Sequence, residues 1–81
     1  MKKVAVTETV LRRRLGSNVR KKRNSASLTV KKAAERAEMS PRHWQKIEAA
    51  QANATLFTLA RMGEALDVEP GELLLEPRQG T

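Results

Sequence analysis

No cysteine and no tyrosine occur in these 81 residues, and tryptophan, phenylalanine and histidine occur once each. Without cysteine there is no disulfide framework and no thiolate-ligated zinc, and a lone His43 cannot supply a multi-histidine metal site. No nucleophile stands near a base and an orienting partner in a catalytic spacing, so no enzyme is expected. Apolar runs stop at three or four residues, far short of a membrane span. The start, Met1-Lys2-Lys3-Val4-Ala5-Val6, opens like a signal peptide, but Glu8 and Arg12-Arg13-Arg14 interrupt any apolar stretch. The cysteine-free composition fits a cytoplasmic setting.

Charge is abundant and unevenly placed. Sixteen Lys and Arg stand against nine Asp and Glu, for a formal net charge of +7. Residues 1–46 hold 14 basic and 3 acidic side chains, whereas residues 47–81 hold 2 basic and 6 acidic. A chain of this length makes one small domain, which buries only ~60% of its unfolded surface. Eleven alanines keep the apolar core small. There is little room for a walled substrate cleft or a separate ligand-sensing domain, so neither a cofactor nor a small-molecule ligand is expected. Apolar residues are nevertheless 40% of the chain and periodic, which argues against full disorder.

The periodicity predicts an all-α fold, a compact bundle of five short helices over residues 7–76. Residues 1–6 form an N-terminal arm, loose or a short strand (Val4 and Val6 alternate), and residues 77–81 a polar C-terminal tail. A first helix spans about 7–24, with Thr7 as cap, Glu8 at the positive dipole end and Leu11, Leu15 and Val19 on one face. Gly16 inside it costs up to ~1 kcal/mol relative to Ala, which a close neighbour would explain. Asn24-Ser25-Ala26-Ser27 reads as a break. Thr29 caps a second helix over Val30–Ala37, whose Ala33, Ala34 and Ala37 give a small-residue face, with Lys31, Lys32 and Glu35 outward. Ser40-Pro41 starts a third helix running to about Ala49, since Pro at the first helical position loses no hydrogen bond. Thr55 caps a fourth helix over 56–66, with Leu56, Leu59, Met62 and Leu66 at helical spacing. A short fifth opens at Pro70.

Two short helices joined by a tight turn, the second rich in long polar side chains, describe a helix-turn-helix. A DNA-reading helix needs an apolar anchor on one side and donors able to reach base edges on the other. Trp44 and Ile47 supply the anchor; Arg42, Gln45 and Lys46 supply the donors.

The run Leu15-Gly16…Val19-Arg20…Arg23…Leu28-Thr29…Ala34…Ala37…Met39-Ser40…Trp44…Ile47-Glu48…Asn53…Leu56…Leu59…Ala65-Leu66-Asp67-Val68…Glu72-Leu73-Leu74 resembles the lambda-repressor-like (Cro/repressor, XRE-type) helix-turn-helix domains, over about residues 11–75. The resemblance implies five packed helices, double-stranded DNA as partner, and homodimers on pseudo-palindromic operators. It places Pro41, Arg42, Gln45 and Lys46 toward the bases, Arg42 first as a bidentate partner for guanine and Pro41 as an apolar contact. It also implies a pair between Arg23 and Glu48 that fixes the reading helix, with Arg23 near the DNA backbone. Expected phosphate contacts are Arg20, Lys21, Arg23, Thr29, Lys31, His43 and Asn53. The chain departs from the family pattern at Val30 (usually Gln), Glu38 and Ala50 (usually Gly) and Ala54 (often Pro). Ala33 stands where Leu is common and Trp44 where Ile or Val is common, an exchange that conserves core volume.

Plainer readings stand beside these. Arg20-Lys21-Lys22-Arg23 is a phosphate patch or an ordinary solvated helix face, and Arg12-Arg13-Arg14 lies further from the motif. His43 is an exposed side chain near a phosphate at most. Three consecutive leucines cannot all face one core, so Leu74 and Leu75, with Phe57, are candidates for a dimer interface. The function expected is a sequence-specific transcriptional regulator, a repressor or autoregulator controlled by its own concentration. The alternative is an antitoxin or adaptor whose main role is binding another protein through its acidic half, Glu48 to Glu76.

Overall fold

A computed structural model of the chain describes residues 5–77. Of the expected arm, residues 1–4, and of the expected tail, residues 78–81, lie outside the described residues. Helices α1 (Glu8–Ser25), α2 (Val30–Arg36), α3 (Pro41–Glu48) and α4 (Leu56–Leu66) are followed by a single 3-10 helix over Pro70–Leu74. No strand occurs among the described residues.

The chemistry of the helix starts is uniform. The hydroxyls of Thr7, Thr29, Ser40 and Thr55 each accept a hydrogen bond from the backbone N–H three residues on, at 3.0–3.2 Å. Each satisfies one of the donors a helix leaves unpaired at its N-terminus.

The helix ends are equally uniform. Ser27, Glu38, Ala50 and Asp67 all adopt positive φ, between 56° and 61°. Around each, two backbone bonds close the helix: Leu28 N–H to Arg23 O, Met39 N–H to Ala34 O, Gln51 N–H to Lys46 O and Val68 N–H to Gly63 O are the longer set, at 2.9–3.0 Å. This is the Schellman closure that most often uses glycine. Here no glycine occupies any of the four positions.

Several expected boundaries move as a result. The first helix includes Asn24 and Ser25, so the break begins at Ala26. The second ends at Arg36 and the third at Glu48, because Ala37 and Ala49 serve as C-caps. The expected fifth α-helix is a 3-10 helix: five residues opened by Pro70 and containing Gly71 are too few for an α-helical segment to sustain itself.

The core is a single cluster. Leu15 and Val19 of α1, Ala33 and Ala34 of α2, Trp44 and Ile47 of α3, Leu59, Met62, Ala65 and Leu66 of α4, and Leu73 are buried, with Ala37 between α2 and α3. Helix α3 packs on both α1 and α2; α4 packs on α1 and α2, and the 3-10 helix closes against α1 and α4. The small α2 face and the large Trp44 share this core, as a volume-conserving exchange requires.

Gly16 explains how closely α1 crosses α3. A Cβ there would lie 2.6 Å from Glu48 O and 2.7 Å from Ile47 O. Those are backbone atoms at the end of α3, so only glycine admits the crossing. Gly63 does the same for the chain after α4, where a Cβ would meet Val68 O at 2.9 Å. Asn18, on α1, donates through Nδ2 to Leu73 O at 3.0 Å and Leu75 O at 2.8 Å, tying the 3-10 segment down.

Candidate nucleic-acid interface

Helix α3 has two faces with different chemistry. Trp44 and Ile47 are fully buried, with His43 and Glu48 partly covered beside them. Pro41, Arg42, Gln45 and Lys46 are all exposed. At ~100° per residue these four fall within an arc of about 140°, opposite the buried pair. Ser40 caps the helix and Pro41 begins it, so Arg42 sits on a first turn closed by the Ser40 hydroxyl.

Glu48 fixes the orientation of this face. Its side chain is 4% exposed and that of Arg23 14%. Arg23 Nε donates to Glu48 Oε2 at 2.6 Å, and its Nη2 to Oε1 at 3.1 Å, a two-point pair. The Trp44 indole N–H donates to Oε2 at 2.7 Å. Arg20, on the solvent side, donates to Oε1 at 3.4 Å. Burial alone would push the Glu48 carboxyl up. The hydrogen bonds from Arg23 and Trp44, the Arg23 charge and the Arg20 bond outweigh that and hold it below its ordinary value. Arg23 is correspondingly raised, chiefly by its hydrogen bond to Glu48.

Arg23 also donates through Nη1 to Leu28 O at 2.9 Å. Its guanidinium is therefore engaged inside the protein, linking α1, the turn before α2 and the end of α3. Among the other expected phosphate contacts, Arg20, Lys21, Thr29, Lys31 and Asn53 are exposed and His43 is half-buried. Arg20 and Lys21, together with Arg13 and Ser17, border a notch of about 360 Å³ between α1 and the end of α3. Thr29 is occupied as a cap, with its hydroxyl accepting from Lys32 N–H. Asn53 accepts a hydrogen bond from Arg12, which also pairs with Glu8.

The residues considered for a dimer surface separate. Phe57 is 67% and Leu75 61% exposed, whereas Leu74 is half-buried and packs against the core. Leu56, expected to point inward at helical spacing, is 84% exposed. As the first residue of α4 it precedes the turn that faces the core. The Arg61 guanidinium lies 4.5 Å from the centre of the Phe57 ring, a cation–π contact, and also pairs with Glu38. That pair neutralises the acidic side chain which replaces the usual turn glycine between α2 and α3.

Three functional partners escaped the sequence reading. The size of Trp44 marks it as a core anchor, and its indole N–H also reaches Glu48, four residues on, where helical side chains meet. The Asn18 contacts and the Arg12–Asn53 bond carry no local signal, because the partners lie 41 or more residues away. Among the described residues no group of His, Asp or Glu is arranged to hold a metal ion, and no helix is long and apolar enough to cross a membrane.

A short helix anchored by an apolar face, locked at its end by a buried carboxylate and presenting polar donors after a tight turn, is a helix-turn-helix DNA-binding unit. The chain belongs to the family described as "Helix-turn-helix domain", which it matches over residues 14–76. That membership places it among DNA-binding transcriptional regulators, which are not enzymes.

Similar solved structures include the following three. The restriction-modification controller protein C.AhdI from Aeromonas hydrophila is 26% identical, with a TM-score of 0.74 over 76% of this chain and 94% of that one. The clp gene regulator ClgR from C. glutamicum is also 26% identical, with a TM-score of 0.74 over 79% and 83%. The hypothetical transcription factor NHTF from Neisseria is 25% identical, with a TM-score of 0.81 over 95% and 88%. No curated protein matches the chain.

Proposed function

We propose that this protein is a sequence-specific transcriptional regulator, a repressor or autoregulator, which binds a pseudo-palindromic operator as a homodimer in the cytoplasm or nucleoid. The observation that carries this reading is the locked α3: Arg42, Gln45 and Lys46 stand on one exposed arc while Trp44, Ile47 and Glu48 hold the opposite side rigid. Preorganised donors of this kind are what major-groove reading requires. Arg20, Lys21, Lys31 and Asn53 supply backbone contacts around it, and occupancy of the operator excludes other proteins. Exposed Leu56, Phe57 and Leu75 supply the apolar surface for a second copy. The structural likeness to a restriction-modification controller and a gene regulator supports a regulatory role.

In vitro selection from a random duplex pool tests the proposal. Enrichment of a two-fold-symmetric sequence is the expected result, and half-site spacing near one helical turn marks a dimer. Recovery of no common sequence from a chain that still folds would overturn it.

A further inference from the structure

We infer that Arg12 is a positioning residue for DNA-backbone binding: it holds the Asn53 side chain so that the amide nitrogen is turned outward as a phosphate donor. This rests on the DNA-binding reading above and assigns a role that the sequence does not show.

Arg12 is the first of three consecutive arginines, a basic run that lies further from the helix-turn-helix than Arg20–Arg23 does. Its guanidinium is engaged elsewhere. Nε donates to Asn53 Oδ1 at 2.7 Å, and Nη2 donates to Glu8 Oε2 at 2.7 Å. Both distances are at the short end for N–H···O bonds. The carboxylate of Glu8, one turn back on α1, fixes the plane of the guanidinium from the other side.

The chemistry of arginine settles which way the Asn53 amide points. A guanidinium only donates, so the atom it meets must be the amide oxygen. The amide nitrogen is then on the opposite branch, directed away from Arg12, on a residue that is exposed. Asn53 lies in the segment between α3 and α4, five residues beyond the end of the reading helix, where no helical ladder orders the backbone. Arg12 supplies the tether from α1. The three side chains line, with Leu11, Leu15, Leu59 and Leu74, a groove of about 400 Å³. A neutral donor held this way fits a non-esterified phosphate oxygen.

The salt dependence of DNA binding distinguishes positioning from direct contact. An arginine on a phosphate releases counterions and adds about 0.9 to the slope of log K against log salt, whereas an asparagine adds nothing. The affinity of the full chain for its selected operator is measured across a salt series for wild type, Arg12→Ala, Asn53→Ala and the double variant. Each single variant is expected to weaken binding about three- to tenfold per protomer, the worth of one neutral hydrogen bond, with the slope unchanged. The double variant is expected to be no weaker than either single one, because both remove the same contact. Arg12→Lys, which keeps a donor for Oδ1, is expected to recover part of the loss, and Asn53→Asp, which keeps the acceptor but removes the donor, to lose binding while staying folded.

A slope reduced by about 0.9 per protomer in Arg12→Ala would put Arg12 itself on a phosphate and overturn the proposal. So would additive losses in the double variant, or a lowered melting temperature with unchanged affinity. If wild type selects no DNA, the DNA reading fails and this role with it. In that case the Arg12 Nε–H resonance in the free protein, protected from exchange in wild type and not in Asn53→Ala, still reports the tether.

Discussion

At the scale of single residues, the account turns on Glu48. Three side chains donate to the carboxylate of a side chain that is 4% exposed, so the charge is removed from water yet fully partnered. Breaking such a pair from one side leaves the other charge stranded. Glu48→Gln is therefore expected to destabilise the fold by about 3 kcal/mol at neutral pH, read from urea unfolding; an unchanged midpoint would remove Glu48 from its structural role. The pH dependence has a definite sign. The folded-state carboxyl is held below its ordinary value, so its stabilisation is complete above the unfolded-state value, near 4.3. It is lost as pH falls through the lower folded-state value. The gap between wild type and Glu48→Gln is expected to narrow on acidification below about pH 4. Sequence alone told only part of this. The Arg23–Glu48 pair came from resemblance to a family, whereas the indole bond from Trp44 followed from four-residue spacing and was masked by its bulk, which reads as core.

Among the elements, starts were far easier to read than ends. Thr7, Thr29, Ser40 and Thr55 announce helix starts because a hydroxyl three residues before an N–H has one obvious use. The ends carry no such announcement. Ser27, Glu38, Ala50 and Asp67 adopt a conformation that glycine adopts freely and a Cβ resists by roughly 1–2 kcal/mol, so nothing in their identity marks the stop. That is why the first three helix limits shifted by a residue or more. Ala50→Gly is expected to raise stability by up to about 1 kcal/mol, the relieved strain less the added unfolded-state freedom. A lower melting temperature would show that the position is not strained. Gly16→Ala is expected to act in the opposite direction, by about 2 kcal/mol, because a methyl 2.6 Å from Glu48 O forces α1 and α3 apart. It is also expected to weaken operator binding, since α3 loses its seat; a neutral effect on both would show that the crossing is not tight.

For the whole molecule, the charge division along the chain becomes a division of labour. The acidic half contributes Glu48 to the interior, while Glu64, Asp67, Glu69, Glu72 and Glu76 stay exposed around α4 and the 3-10 segment. Several cations of α1 and α2 are held by carboxylates, Arg12 by Glu8, Arg20 and Arg23 by Glu48 and Lys32 by Glu35, and the phosphate role proposed for exposed Lys31 is open to test. Lys31→Ala is expected to weaken binding to operator and random duplex alike and to lower the salt slope by about 0.9 per protomer. A loss confined to the operator would make Lys31 a base contact instead. All-α architecture, helix order and the exposed polar face of α3 were legible because apolar spacing, caps and polar donors agree with one another. The Arg12–Asn53 and Asn18 contacts were not legible, because each depends on how distant segments meet.

The most direct test of the central claim, that α3 reads base edges, compares wild type and Arg42→Ala on the selected operator and on random duplex at one salt concentration. Loss of a bidentate contact to guanine is expected to weaken operator binding by about 1–3 kcal/mol and random binding far less, with the melting temperature unchanged. Equal losses on both duplexes would make Arg42 a backbone contact and contradict the assignment of α3 as the reading helix.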